Sequence, residues 1–236
     1  MLSVLIMVSA SPKILAAVIT CIPATPCDGT DGNDTMNGSD QNDQMSGSGG
    51  KDRMFGNAGA DKMKGGNGSD TINGGDGQDF IDELLDTSKN TISGGSDGDS
   101  VNGGNAADSI NGDDGSDELR GYGGNDRIRG GLDADILQGL AGDDILEGGD
   151  GDDRLTGDWD TGPISFYGAD TLRGGAGDDF LFQSSNTVEP TPDHILAVAP
   201  DGKKDVLDCG EGNDEAWGNV NTDHDEFRNC EVVHHE

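Results

Sequence analysis

Residues 65–82 read GGNGSDTIN followed by GGDGQDFID, one nine-residue phrase stated twice. Glycine stands at places one, two and four, aspartate at place six and isoleucine at place eight. Place six serves as a ruler in both directions. Asp34, Asp43, Asp52, Asp61, Asp70 and Asp79 follow one another at intervals of nine. Two extra residues then intrude near Glu83 and Leu84, and Asn90 stands where aspartate is due. The series resumes with Asp99, Asp108, Asp117, Asp126, Asp135, Asp144 and Asp153. After an insertion around residues 157–164 it closes with Asp170 and Asp179. Sixteen repeats result, fifteen of them with aspartate.

Place eight is as strict. It reads Met36, Met45, Met54, Met63, Ile72, Ile81, Ile92, Val101, Ile110, Leu119, Ile128, Leu137, Leu146, Leu155, Leu172 and Leu181, aliphatic or methionine throughout. Composition alone points the other way. A chain of 236 residues with 41 glycines, 47 acidic against 14 basic residues and 31% hydrophobic content has the makeup of a disordered acidic polymer. A disordered tract needs no such register, so the periodicity overrides the composition. The net charge of -33 repels phosphate and argues against nucleic acid and anionic membrane surfaces as partners. It favours cations.

The phrase matches the G-G-x-G-x-D-x-U-x nonapeptide of calcium-binding parallel β-helices. The chain resembles hemolysin-type calcium-binding (RTX nonapeptide) repeat proteins over residues 29–182. That resemblance implies an all-β fold, a parallel β-roll with Ca²⁺ bound between stacked turns.

The residue chemistry agrees with it. Each phrase divides into a six-residue turn and a three-residue strand whose middle side chain faces one way. Glycine supplies the positive φ and close approach that a tight turn needs. Aspartate supplies a hard anionic oxygen, the donor Ca²⁺ prefers and Mg²⁺ uses less readily in such a setting. Two phrases make one coil, so repeats n and n+2 stack about 4.8 Å apart. Sixteen repeats then allow at most about fourteen ion pairings, whose roughly 28 positive charges approach the 33 to be neutralised. One buried aliphatic residue per nine does not offset the entropy of ordering nine residues. The fold is therefore expected to fail without ions and to form cooperatively with them.

The fifteen aspartates above are the expected metal ligands. The best-formed turns end at Asp70, Asp79, Asp153 and Asp179, and add Gly65, Gly68, Gly74, Gly77, Gly148, Gly151, Gly174 and Gly177 to the site. The pattern frays at place four, where Gln41, Asp97, Ala106 and Asp133 replace glycine. It frays at place two with Ser39, Ser48, Asn57, Asp113, Tyr122 and Leu140. The first two repeats and the one around Asn90 are expected to be the weakest.

The ends differ from the array. Residues 1–20 are apolar, broken by Pro12 and Lys13, and read as a secretory signal, although the usual positive start is missing. Residues 21–28 read as an N-terminal cap and 183–236 as a C-terminal cap with a degenerate repeat, in which Asp205 precedes Leu207 and Asp214 precedes Ala216. Cys21, Cys27, Cys209 and Cys230 allow three disulfide pairings. Neighbour pairing staples both ends and implies an oxidising compartment, with four free thiols as the alternative. Asn219, Asn221 and Asp223 sit at EF-hand offsets, but His224 and Cys230 occupy the places of the glycine and the bidentate glutamate. His194, His224, His234 and His235 form no hydrolase or zinc motif and read as surface residues. Trp159 and Trp217 read as packing in an insertion and a cap, in preference to a sugar platform.

The expected function is that of a secreted calcium-binding roll, a structural or binding module and not an enzyme, with an extracellular partner that the sequence does not name. Two other classes compete. An adhesin or ice-binding face calls for repeated threonine, whereas place seven reads Thr35, Gln44, Arg53, Lys62, Thr71 and Phe80. A small or non-catalytic relative of RTX-type secreted hydrolases and toxins is the other.

Overall fold

The computed structural model describes residues 16–22, 25–159, 168–185, 204–218 and 225–235. Most of the expected leader, the EF-hand-like stretch 219–224 and His194 lie outside them, as do the side chains of Trp159, His234 and His235. Twenty-two strands are present among the described residues, from Val18–Thr20 to Val232–His235. They form two parallel sheets of eleven strands each, and successive strands alternate between the sheets. Each strand therefore pairs with the strand two later, and two nonapeptides complete one coil. The fold is an all-β parallel roll, as expected.

Register follows place eight. In one sheet Met54 pairs with Ile72, Ile72 with Ile92, Ile92 with Ile110 and Ile110 with Ile128. In the other, Met45 pairs with Met63, Met63 with Ile81, and Ile81 with Val101. None of the sixteen place-eight side chains is more than 2% exposed. The core is thus two facing columns, one residue thick per strand, capped by Cys27 at one end and extended by Leu207 and Ala216 at the other. Alternation explains it: the residues on either side of place eight point outward, so each regular repeat sends one apolar side chain to the interior, and the strand Val206–Glu211 adds Cys209 to Leu207.

Insertions do not disturb this register. The strand Arg154–Trp159 is followed by Thr171–Ala176, which still pairs Leu172 with Leu146. Strands Val206–Glu211, Glu215–Gly218, Glu226–Arg228 and Val232–His235 continue the same two sheets. Cys21–Cys27 and Cys209–Cys230 are disulfide-bonded, the neighbour pairing.

Charge is segregated. The acids of place six line the two edges where the turns stack. Nine of the basic residues, among them Arg127, Arg129 and Arg173, sit at places seven and nine on the outer sheet faces. Those three arginines share one partner, Glu147, at 2.7–2.9 Å.

Candidate metal centre

Both edges of the roll are built alike. The backbone N–H of a place-six residue donates to Oδ1 of the place-six aspartate one coil on. Asp34 to Asp52, Asp52 to Asp70, Asp108 to Asp126 and Asp126 to Asp144 all span 2.7 Å. Asn90 keeps the row intact through its amide oxygen, which accepts from Asp70 at 2.9 Å, and its own N–H donates to Asp108 at 2.6 Å. The row runs on through Asp170 to Asp205 and Asp225. On the other edge Asp43, Asp61, Asp79, Asp99, Asp117, Asp135, Asp153, Asp179 and Asp214 are linked in the same way. That row ends at Glu231, whose carboxylate accepts from Asp214 at 3.0 Å.

All fifteen expected aspartates are buried, none more than 4% exposed. Their second oxygens decide the chemistry. In Asp52, Asp61, Asp70, Asp79, Asp99, Asp108, Asp117, Asp126, Asp135, Asp144, Asp153, Asp179 and Asp214, Oδ2 is shut off from solvent and has no hydrogen-bond partner. A buried carboxylate oxygen left bare costs several kcal/mol as an anion, so it calls for a proton or a cation. Burial pushes Asp70, Asp79, Asp99, Asp108, Asp126, Asp135 and Asp153 up to about 7, against the backbone hydrogen bond that favours the charged form. Asp144 goes to about 8 for the same reason. In most of these a neighbouring carboxylate pushes the same way.

The surroundings fit a hard cation. A Cβ on Gly47 would collide with Asp52 Oδ2 and stand 2.5 Å from the carbonyl oxygen of Gly65. A carboxylate and a carbonyl oxygen therefore flank one small space that any side chain at place one would fill. The expected place-one glycines Gly65, Gly74, Gly148 and Gly174 stand in the same way against Asp70, Asp79, Asp153 and Asp179. Place four bends the turn: Gly68, Gly77, Gly151 and Gly177 have φ of 132°, 115°, 144° and 139°. No three Asp, Glu, His or Cys side chains converge on one point among the described residues. An ion on these edges would be held by aspartate Oδ2 together with backbone oxygen, a mixture suited to Ca²⁺.

Two groups of turns depart from the expectation. At place two, Ser48, Asn57, Asp113, Tyr122 and Leu140 keep the left-handed backbone with φ of 74–80°, so the fraying there changes the residue without changing the turn. Asp97 and Asp133 do the same at place four, with φ of 75° and 70°. The first two turns are different in kind. Asp34 Oδ2 accepts from the N–H and hydroxyl of Thr30 at 2.6 and 2.9 Å. Asp43 Oδ2 accepts from the N–H and hydroxyl of Ser39 at the same distances. Oδ2, the oxygen left bare elsewhere, is satisfied here by the protein itself; Asp34 Oδ1 also accepts from the Ala17 N–H at 2.6 Å, whereas Asp43 Oδ1 is buried without a partner.

Asp225 and Glu231 were absent from the expected site, and Asp205 and Asp214 were placed in a cap. The signal for the last two is the Asp-x-Leu and Asp-x-Ala spacing. For Asp225 it is only Phe227 two residues on, which packs against the core.

No helix among the described residues is long and apolar enough to cross a membrane. No curated protein matches the chain. The family described as RTX calcium-binding nonapeptide repeat (4 copies) matches residues 28–63, 55–82, 86–119, 102–137, 129–161 and 165–182, more than half of the chain. With two parallel sheets in a nine-residue register and two edges of buried aspartates, the chain belongs to that calcium-binding repeat family.

Proposed function

We propose that this protein is a secreted module that folds on binding calcium and acts outside the cell as a structural or binding element, without catalytic activity. The observation that carries the reading is the set of thirteen buried aspartate oxygens with no hydrogen-bond partner. As pH rises and they ionise, those carboxylates repel one another along each edge. Ca²⁺ supplies positive charge and accepts carbonyl as well as carboxylate oxygen, so its binding energy becomes folding energy. The two disulfides and the family's repeats support an oxidising, extracellular setting. The non-catalytic reading rests on the role of the carboxylates: among the described residues they form regular rows, and no pair there is set apart as an acid and a base facing a cleft.

An ice-binding or adhesive face has less support. On one sheet place seven reads Thr35, Arg53, Thr71, Thr91, Ser109 and Arg127, which is no continuous threonine row.

The test is circular dichroism of the mature chain at neutral pH. In excess chelator the spectrum should be that of a coil, and millimolar calcium should produce a cooperative change to sheet. A compact sheet-rich chain in chelator, or a coil in calcium, sinks the proposal.

A further inference from the structure

The turn of residues 83–89 is unlike the others on its edge. The link from Asp70 to Asn90 spans 20 residues, where the link from Asp52 to Asp70 spans 18. Residues 83–85 fall between the family matches 55–82 and 86–119. Place one, glycine in the neighbouring turns, is Glu83 here.

Glu83 is fully buried. Its carboxylate reaches back one coil, where Oε1 accepts from the N–H of Gly65 and Oε2 from that of Gly66 at 3.1 Å. Asp70 Oδ2 points at the same glycine: a Cβ on Gly65 would collide with it. That oxygen is shut off from solvent and has no hydrogen-bond partner. Two carboxylates thus converge on one glycine, where a regular turn brings together a carboxylate and a carbonyl. Asp86, also buried, adds a third negative group, held by the Asn90 amide at 3.1 Å and the Thr87 N–H at 2.8 Å. Asp86 does not converge on Gly65 with the other two but adds to the negative field on both, and Asn90 stands in the row where a further aspartate would add to it. Burial, with Asp70 and Asp86 adding to it, pushes Glu83 up to about 8. Two N–H donors do not relieve that repulsion, and a divalent cation relieves both carboxylates at once.

We propose that the turn 83–89 adds Glu83 to the ladder position of Asp70, so that both carboxylates hold one divalent cation and this position fills before the regular turns of the ladder. The proposal rests on the calcium reading above. Affinity for Ca²⁺ rises with the number of anionic ligands, and this corner offers two where the ladder offers one. The first ion to bind would then tie the coil of Asp70 to the coil of Asn90 and give the remaining coils an ordered neighbour to stack on.

Glu83→Gln tests this in the full chain, since glutamine keeps the shape and the acceptor toward Gly65 while removing the charge. Calcium should be titrated under circular dichroism, and bound ions counted by calorimetry. The variant should need about tenfold more calcium to fold, or more, and should hold one tightly bound ion fewer. An unchanged midpoint and count, or a lower midpoint, overturns the proposal and leaves Glu83 as a proton carrier. Europium excitation spectra of the unmodified chain provide a measurement that no variant can spoil by misfolding. One ion should show a line displaced from the other ladder ions, because that line reports ligand charge, and a single class of ions counts against the shared position. Failure of the calcium reading is told apart by the unmodified chain: if it binds no ion at all, the ladder fails as well.

Discussion

Ser39 and Ser48 hold the same place in neighbouring repeats and do opposite things. Ser48 takes a left-handed backbone, φ 77°, with Gly50 after it at φ 119°, and Asp52 Oδ2 is left bare. Ser39 is followed by Gln41 at place four and stays outside the left-handed region, so its N–H and hydroxyl both turn onto Asp43. Thr30 behaves like Ser39, and as a β-branched residue it resists positive φ. The lesson is that the backbone conformation at place two goes with whether a turn hydrogen-bonds Oδ2 of its own aspartate or leaves that oxygen bare for a cation. The interior turns have given up local hydrogen bonds that the first two keep.

The largest consequence concerns protons, which compete with cations for the bare oxygens of the interior turns. Their folded pKa values, about 6 to 8, lie above the ordinary aspartate value. The folded state thus binds more protons than the unfolded one between about pH 4 and pH 7, and stability falls as pH rises through that window. In chelator the chain should regain sheet structure near pH 4 and lose it toward pH 8, as read by circular dichroism. With calcium present the dependence reverses, and the calcium needed for folding should fall as pH rises. A chelated chain that is more ordered at pH 8 than at pH 4 contradicts the burial argument.

Single sites should show the contrast on a smaller scale. Asp117→Asn keeps the acceptor for the Asp99 N–H but removes the bare charged oxygen, and should weaken one ion by about tenfold or more. Asp34→Asn should leave the ion titration within about twofold of the original, because the Ala17 N–H and Thr30 already serve both of its oxygens. Equal effects at the two positions, measured by calorimetry, remove the distinction between the regions. The smallest effect comes from converting one kind of turn into the other. Ser39→Gly with Gln41→Gly should free Asp43 Oδ2 and raise the ion count by one, and an unchanged count shows that place two is not what decides.

Much of this was legible in the chain. The place-six and place-eight series are enough to assign the core column, the edges, the two-phrase coil and the position of the fifteen aspartates. What was not legible has physical causes. Reading place seven along the chain interleaves two faces that never meet, so Thr71 and Thr91, adjacent in one sheet, look unrelated in the sequence. The self-capping of Asp34 and Asp43 depends on backbone angles, and a serine at place two is silent about those. Glu83 reads as an irregularity because its carboxylate acts one coil back, on Gly65 and Gly66. Asp225 lacks a preceding glycine; its hydrogen bond to the coil before and the pairing of Phe227 with Leu207 assign it to the row.

The corners of the roll also determine what can be added to it. Steps of 26 residues from Asp144 to Asp170, and of 35 from Asp179 to Asp214, leave the edge hydrogen bonds at 2.8 and 2.9 Å, as good as those across 18. A corner that accepts such detours without a change of pitch is a port for foreign sequence. Loops of unrelated chemistry could be displayed there at a spacing set by the coil, while the scaffold beneath keeps its register.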